Sequence, residues 1–371
     1  MKVSLNKCLS YAEEDVYRSI KAAVDNLGGI SSFIKPNQKV LLKPNMLGAH
    51  TPDKTVNTHP AILKAVIRLV KEAKGIPFIG DSPGFDNPKK AFKVSGYNEI
   101  CAEFIEFKTP YDLPIANSRR FKTITIAKEI LDFDVVINLA KLKTHHLTGI
   151  TCAVKNMFGC IPGILKSGYH VKLPKKEDFC LMLLDLIDNL KPALSIVDAV
   201  SAMEGNGGPV SGSPIRLNFI GASQSAQALD YIICKIININ PKDIPTIKVD
   251  DRFNPETIEL IGEKIEDLFN SNFKRIETLT PIFPGPAFLQ NILNKMISEK
   301  PMLLKNKCTN CGNCYKICLS KAIDFSKKYP IFNYDKCINC YCCAEMCPSK
   351  AIEIKANNLI MLLQRLYSRI R

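Results

Sequence analysis

Fifteen cysteines occur in 371 residues, and eight of them stand at a spacing that serves one kind of chemistry. Cys308, Cys311, Cys314 and Cys318 read CxxCxxCxxxC, and Cys337, Cys340, Cys343 and Cys347 repeat the pattern at one constant offset. Two-residue gaps let one tight loop aim three thiolates at three corners of an iron–sulfur cube, leaving the fourth corner to a cysteine from elsewhere. Structural zinc takes its four ligands as two separated pairs, so the third and fourth Cys of each run have no use in it. Disulfides need an oxidising compartment, and residues 1–10 show no apolar core followed by a small-residue cleavage site. The spacing therefore implies two [4Fe–4S] clusters. Cys342, a ninth cysteine in the stretch, reads as a bystander, since Cys343 keeps the interval.

Residues 301–355 resemble the bacterial two-[4Fe–4S] ferredoxin family, and the string SKAI recurs at Ser320 and Ser349 as expected of a duplicated module. In two-cluster ferredoxins the fourth Cys of each run serves the other cluster. The resemblance assigns Cys308, Cys311, Cys314 and Cys347 to cluster 1, and Cys337, Cys340, Cys343 and Cys318 to cluster 2. Leu319 stands where the family usually has Pro, while Pro348 keeps it, which loosens a turn and removes no ligand.

That module occupies a small part of the chain, and 46% hydrophobic content suffices for a second, larger domain. No run of about 18 apolar residues argues for a membrane span. Cysteine richness without an export signal points to a reducing cytoplasm. The formal charge is +14 with Cys counted neutral; eight thiolates around two cluster cores bring it to about +10. Such a chain suits an acidic redox partner, nucleic acid or anionic lipid. Lys and Arg are scattered without a block, and Trp is absent, which argues against nucleic acid.

Ahead of the module, strand-like and helical stretches alternate. Helices are expected over 13–26, 60–74, 89–96, 178–190 and 223–237, and again over 255–270. Strands are expected over 39–45, 76–80, 102–107, 122–127, 134–142, 193–198 and 215–221. This alternation implies an α/β fold, a mostly parallel sheet with flanking helices, joined to a small α+β two-cluster module. The expected domains are 1–285, a linker helix over 286–300 after the Pro-rich hinge TPIFPGP, the module over 301–355 and a basic amphipathic tail over 356–371. The tail suits a membrane surface or docking on its own protein, the second being the commoner use.

The strings LLKPN, GDSPG, NLAKLKTHHLTGITCAVKNMFG and DAVSAMEGNGGPVSG are similar to the domain-of-unknown-function 362 family over about residues 38–250. Members often carry a C-terminal two-cluster module, and the family has no securely assigned reaction. The string GASQSAQALD departs from it, leaving one acidic position unfilled and only Asp230 in place.

Ligands of parallel sheets bind at the C-terminal ends of strands, and the polar loops there supply the candidates. Lys43, Lys141, Lys143 and Lys155 are cations at predicted element ends, and Gly205, Gly207 and Gly208 belong to a glycine-rich loop suited to an oxyanion. A phosphate- or carboxylate-bearing substrate is expected against Lys43, Asn45, Asp81, Lys155, Asn156 and those glycines. His145 is the candidate proton donor, because imidazole titrates near neutrality. Lys141, Lys143, Asp198 and Glu204 complete the catalytic candidates. His145 and His146 are adjacent and cannot both face one site, so a shared metal is not expected. Cys152, Cys160 and Cys180 read as buried apolar residues. No GxGxxG fingerprint supports a nicotinamide or flavin. The leading reading is an iron–sulfur oxidoreductase acting on a small anionic molecule. A non-catalytic carrier or assembly factor docking a redox partner protein, and a redox sensor of nucleic acid or metabolite, are the alternatives.

Overall fold

Two stretches almost without exposed positions, KVLLKP and VVINLAKLKTH, set the middle of the sheet in the computed structural model, which describes residues 1–84, 86–276 and 299–355. In chain order the α/β part comprises β1 (Lys2–Lys7), α1 (Glu13–Asp25), β2 (Lys39–Pro44), α2 (Pro60–Glu72), β3 (Ile76–Asp81), α3 (Pro88–Val94), β4 (Glu103–Glu106), β5 (Pro110–Pro114), β6 (Thr123–Ala127), β7 (Val135–His145), β8 (Gly149–Thr151), α4 (Ala153–Asn156), α5 (Leu165–Lys172), α6 (Lys176–Leu190), β9 (Leu194–Glu204), β10 (Ser213–Ser223), α7 (Ala226–Ile236), α8 (Pro245–Lys248), β11 (Glu259–Gly262) and α9 (Ile265–Leu268). The sheet runs β11-β1-β10-β9-β7-β2-β3-β4, with β8 on β7. The pairs of β2 with β3 and β7, of β3 with β4, of β7 with β9 and of β1 with β11 are parallel. Those of β10 with β1 and β9, and of β8 with β7, are antiparallel.

Strand side chains alternate between faces, and both faces are covered. On one, Ile137 and Leu139 of β7 pack with Ile20 of α1 and Val66 of α2. On the other, Val136 and Ala140 pack with Leu183 of α6 and Ile233 of α7. Burial on both faces explains why β7 reads as a continuous apolar run. Strand β2 is followed by β3 on one side, whereas β7 adds on the other. The order therefore reverses between β2 and β7, and the crevice beyond the strand ends at such a point is where open α/β sheets bind ligands.

Most expected elements are present, with strands β7, β9 and β10 longer at one or both ends than their apolar runs. The helix expected over 255–270 is overturned. That stretch holds a 3-10 turn (Pro255–Thr257), strand β11 and only the short α9. The edge of β1 captures it: Lys2 to Leu5 pair with Glu259 to Gly262, an ordering local periodicity does not encode. Strand β1 itself was not expected, because six residues with Val3 and Leu5 are too few to register. The hinge at 280–286 and the tail at 356–371 lie outside the described residues, as does the linker helix apart from Glu299 and Lys300.

The module contains β12 (Lys300–Leu303), α10 (Asn313–Ile317), β13 (Ile323–Asp324), β14 (Ile331–Phe332), α11 (Cys342–Glu345) and β15 (Ile352–Lys355). Its outer strands β12 and β15 pair antiparallel, as do β13 and β14. The duplication reaches the backbone. Asn310 and Asn339 are equivalent positions of the two repeats, as are Lys321 and Lys350, and all four take positive φ. The helices α10 and α11 open after equivalent left-handed residues, Gly312 and Tyr341.

Candidate functional site

The ends of β2, β3, β7 and β8 and the last residues of α4 meet at the switch point. They enclose a pocket of about 460 Å³ counting the space open to solvent, lined by Lys43, Asn45, Asp81, Lys143, Lys155 and Lys166 among others. Lys43 is fully buried and its Nζ lies 2.9 Å from Asp81 Oδ1 and 2.8 Å from the Pro44 carbonyl. Asp81 also accepts from the Met46 and Ser82 N–H groups, so its charge is fully used. Gly159 backs this pair: a Cβ there would fall on Asp81 Oδ1 and Lys43 Nζ, which explains a glycine in the segment after α4.

Lys143 is 1% exposed and has no carboxylate within ion-pair distance among the described residues. Its Nζ donates to Asn45 Oδ1 and to the Val56 carbonyl, both at 2.7 Å. The donation continues in one direction, from Asn45 Nδ2 to Asn156 Oδ1 and from Asn156 Nδ2 to Asn138 Oδ1, at 2.9 and 2.8 Å. This amide chain ties β2, β7 and α4 together and holds Lys155, on α4, over the pocket. Lys155 Nζ stands 5.4 Å from the Phe158 ring centroid. Burial lowers the pKa of Lys143 and Lys155 alike; Lys155 pushes Lys143 further down, and Glu345 opposes the fall for both.

Glu345 belongs to the module, yet it lines the same pocket. His145 Nδ1 accepts the Leu147 N–H at 3.1 Å, which leaves the imidazole proton on Nε2, and Nε2 faces Glu345 Oε1 at 3.2 Å. Burial and then Lys155 drive the His145 pKa down to about 3, so the ring is neutral and donates. Burial would raise the Glu345 carboxyl, but the hydrogen bond from His145 and the charge of Lys155 bring it below the usual carboxylate value. His146, the adjacent ring, turns to the Asn206 carbonyl at 2.6 Å and stands 5.3 Å from the Tyr341 ring. Both histidines thus touch the loop or module side, by different faces.

Lys141 goes elsewhere. Its Nζ lies 2.8 Å from Asp198 Oδ2 and 2.9 Å from Tyr11 Oη, Tyr11 donates to Asp198 Oδ1 at 2.7 Å, and the Tyr11 ring stacks on His59 at 3.6 Å. This network is self-satisfied and separate from the pocket lining. Glu204 accepts the Lys274 N–H at 2.8 Å. In the glycine-rich loop, the Gly205 N–H goes to the Lys274 carbonyl and the Gly208 N–H to Gly205, while a Cβ at Gly208 would overlap Thr144. Those two N–H groups are spent within the protein. Of the candidates, Lys43, Asn45, Asp81, Lys143, Lys155 and Asn156 come together at the pocket, with His145 behind Glu345. Lys141, Asp198, Glu204, Gly205, Gly207 and Gly208 do not line it.

Lys166, Ser82 and Glu345 were not among those candidates. Lys166, on α5, donates to the Ser82 carbonyl at 2.7 Å, and burial brings its pKa from 10.5 down to about 7, Asp81 opposing and Lys43 assisting. Its signal is weak because α5 shows no strand-end position. An ammonium that titrates near pH 7 binds anions below that pH and loses them above it. Inorganic phosphate measured by calorimetry is expected to bind several-fold more weakly at about pH 8.5 than at about pH 6 in the wild type. Lys166→Arg is expected to abolish most of that difference; an equal pH dependence in both proteins would assign it to another group.

In the module, one of the two expected ligand sets comes together. A cleft of about 300 Å³ is lined by Cys308, Cys311, Cys314 and Cys347. The Ala322 N–H donates to Cys318 Sγ at 3.2 Å and the Ala351 N–H to Cys347 Sγ at 3.1 Å, equivalent bonds that suit ligating thiolates. This donor set fits two [4Fe–4S] clusters.

The comparisons agree with the geometry. Residues 40–235 match the family described as a domain of unknown function, DUF362, and residues 307–351 match the 4Fe-4S dicluster domain. The chain belongs to the DUF362 family. It is 36% identical to the thylakoid-associated protein of Synechocystis sp. over 304 residues, 78% of this chain and 92% of that one. Solved structures with lower likeness include a Thermotoga maritima protein (14% identity, TM-score 0.35, 56% of this chain and 55% of that one). Another is the lactate racemase apoprotein of Thermoanaerobacterium thermosaccharolyticum (12%, 0.38, 62% and 56%). The chain spans little more than half the length of either.

This DUF362 protein carries two [4Fe–4S] clusters. About eight iron atoms per chain are therefore expected by metal analysis. Cys342→Ala should keep that content and Cys343→Ala lose about half of it; iron loss in the first variant would make Cys342 a ligand. No helix among the described residues is long and apolar enough to cross a membrane.

Proposed function

We propose that this DUF362 protein is an iron–sulfur oxidoreductase that passes single electrons between its cluster module and a small phosphate- or carboxylate-bearing molecule in the Lys43, Lys143, Lys155 and Lys166 pocket. The observation that carries the reading is Glu345. It lines the pocket and lies two residues from Cys343 and two from Cys347, no more than about 7 Å of chain from either. The electron-carrying loop and the cationic pocket therefore share a wall. When bound, the clusters supply electrons one at a time. The chain's own residues do the rest. Lys143 and Lys155, neither within ion-pair distance of a carboxylate among the described residues, attract the anion. The amide chain from Asn45 to Asn138 fixes their positions. Lys166, poised near pH 7, gives or takes the proton that accompanies reduction or oxidation of the bound molecule.

Reduced full-length protein is the test. Its cluster absorbance should return on adding the right anionic metabolite and stay bleached with neutral analogues. Reoxidation that is indifferent to anions in wild type and in Lys155→Ala alike would sink the reading. A second reading, a non-catalytic carrier or assembly factor, draws on the same Glu345, since a carboxylate from the protein already occupies the cationic wall. Under that reading anions leave the reoxidation rate unchanged but loosen the module from the α/β part. The cytoplasm is the proposed location, with a membrane surface second because the Synechocystis relative is thylakoid-associated. Fractionation of cells, with recovery in the soluble or the membrane fraction, separates the two.

A further inference from the structure

The two repeats of the module share one cysteine pattern but differ in exposure around their short helices. In the second repeat Cys340 and Ala344 are half-buried, Cys342 is buried, and Glu345 enters the pocket beside His145. Of their counterparts in the first repeat, Cys311, Tyr315 and Lys316 are exposed, and Asn313 is half-buried. Tyr315 is 53% exposed and Leu319 41%, and Tyr315 leans on Phe325 at a ring separation of 6.4 Å. A duplicated fold offers two equivalent faces, and this chain has used one of them to hold the α/β part.

Charge divides the same way. Residues 303–328 contain Lys305, Lys307, Lys316, Lys321, Lys327 and Lys328 against the single acid Asp324. Residues 332–355 contain three lysines against Asp335, Glu345 and Glu353. Where the inner face sends a carboxylate, Glu345, into a cationic pocket, the outer face presents a cation, Lys316, at the equivalent position. All six of those lysines are exposed, and Glu353 approaches Lys307 only to 4.0 Å. Exposed aromatic and apolar side chains rimmed by one sign of charge mark a docking surface whose partner carries the other sign.

We propose that the first-repeat face, centred on Cys311, Tyr315, Lys316 and Leu319, docks an acidic one-electron carrier protein. Electrons then cross the module from the exposed first repeat to the second, which is packed at the pocket. In the step at this face the carrier is oxidised by one electron and the cluster held by Cys308, Cys311, Cys314 and Cys347 is reduced by one, with no bond made or broken and no proton moved. The inference rests on the electron-transfer reading above and adds which side the electron enters and what brings it.

The test uses full-length protein with both clusters and an acidic plant-type ferredoxin as probe. Stopped-flow reduction by the ferredoxin is expected to slow about tenfold from low to high salt, as for steered encounters. Lys316→Glu and Tyr315→Ser should each slow it about fivefold to tenfold at low salt and weaken binding of gallium-substituted ferredoxin in calorimetry. Lys71→Glu, exposed on α2, should change neither, and all variants should keep their iron. Wild-type rates and affinities in both face variants, or a ferredoxin rate that does not change with salt, overturn the docking face. Chemically reduced protein separates the two proposals: anion-dependent reoxidation can persist when the face fails, and be absent when the face holds.

Discussion

Lys155→Ala in the cluster-loaded protein is expected to cut anion-dependent reoxidation about 30- to 150-fold, as loss of a charge-assisted contact worth about 2–3 kcal/mol implies. Lys155 sits on a four-residue helix held by Asp230, which accepts the Ala153 and Val154 N–H groups at 2.7 and 3.2 Å. Its nearest electrostatic partners include Glu345, and its ring neighbour is Phe158. None of these replaces the ammonium in binding an incoming anion. Lys141→Met is the contrast. Lys141 is held by Asp198 and Tyr11, so its loss should lower the unfolding midpoint and leave the anion dependence of any remaining folded protein unchanged. Equal loss of anion response in the two variants would merge the pocket and the Tyr11 network into one site and overturn their separation.

The largest stability effect is expected at Lys43. Removing one partner of a buried ion pair leaves the other charge uncompensated, at a cost of about 3–5 kcal/mol. Lys43→Met should lose that much in urea unfolding, because Asp81 keeps its Met46 and Ser82 N–H donors but no cation within bonding distance. Lys43→Met with Asp81→Asn should recover part of the loss, since the remaining side chain is then neutral. A cost below about 1 kcal/mol for the single variant would show that water reaches the pair. Because Gly159 backs the same atoms, Gly159→Ala should disturb this pair as well, detected as a lower midpoint.

How much of this was legible in the chain differs by region. The two-cluster content was readable because six of the eight cysteines sit in two short loops, where spacing dictates which thiolates can converge. The helices α1 and α2 were readable from apolar residues at helical spacing, while α6 and α7 are buried over most of their length, without a break from Met182 to Ile187 in α6. Strand β1 and the 255–270 stretch were not, since each is ordered by pairing with a segment at the opposite end of the α/β part. Within the site, Lys43, Asn45, Lys143 and Lys155 were placed by their positions at element ends. Lys141 looked equivalent to Lys143, two residues away on the same strand. A register shift between them against β9 lets Lys141 face Asp198 while Lys143 faces Asn45.

The amino-acid sequence by itself determined that this chain ligates two clusters and carries a lysine-rich sheet edge, because both follow from residues close together in the chain. Only the tertiary structure decided that Glu345 brings these two features to one wall, beside His145 from the distant strand β7. A contact of that span depends on how two separately ordered units pack, and no local spacing records it.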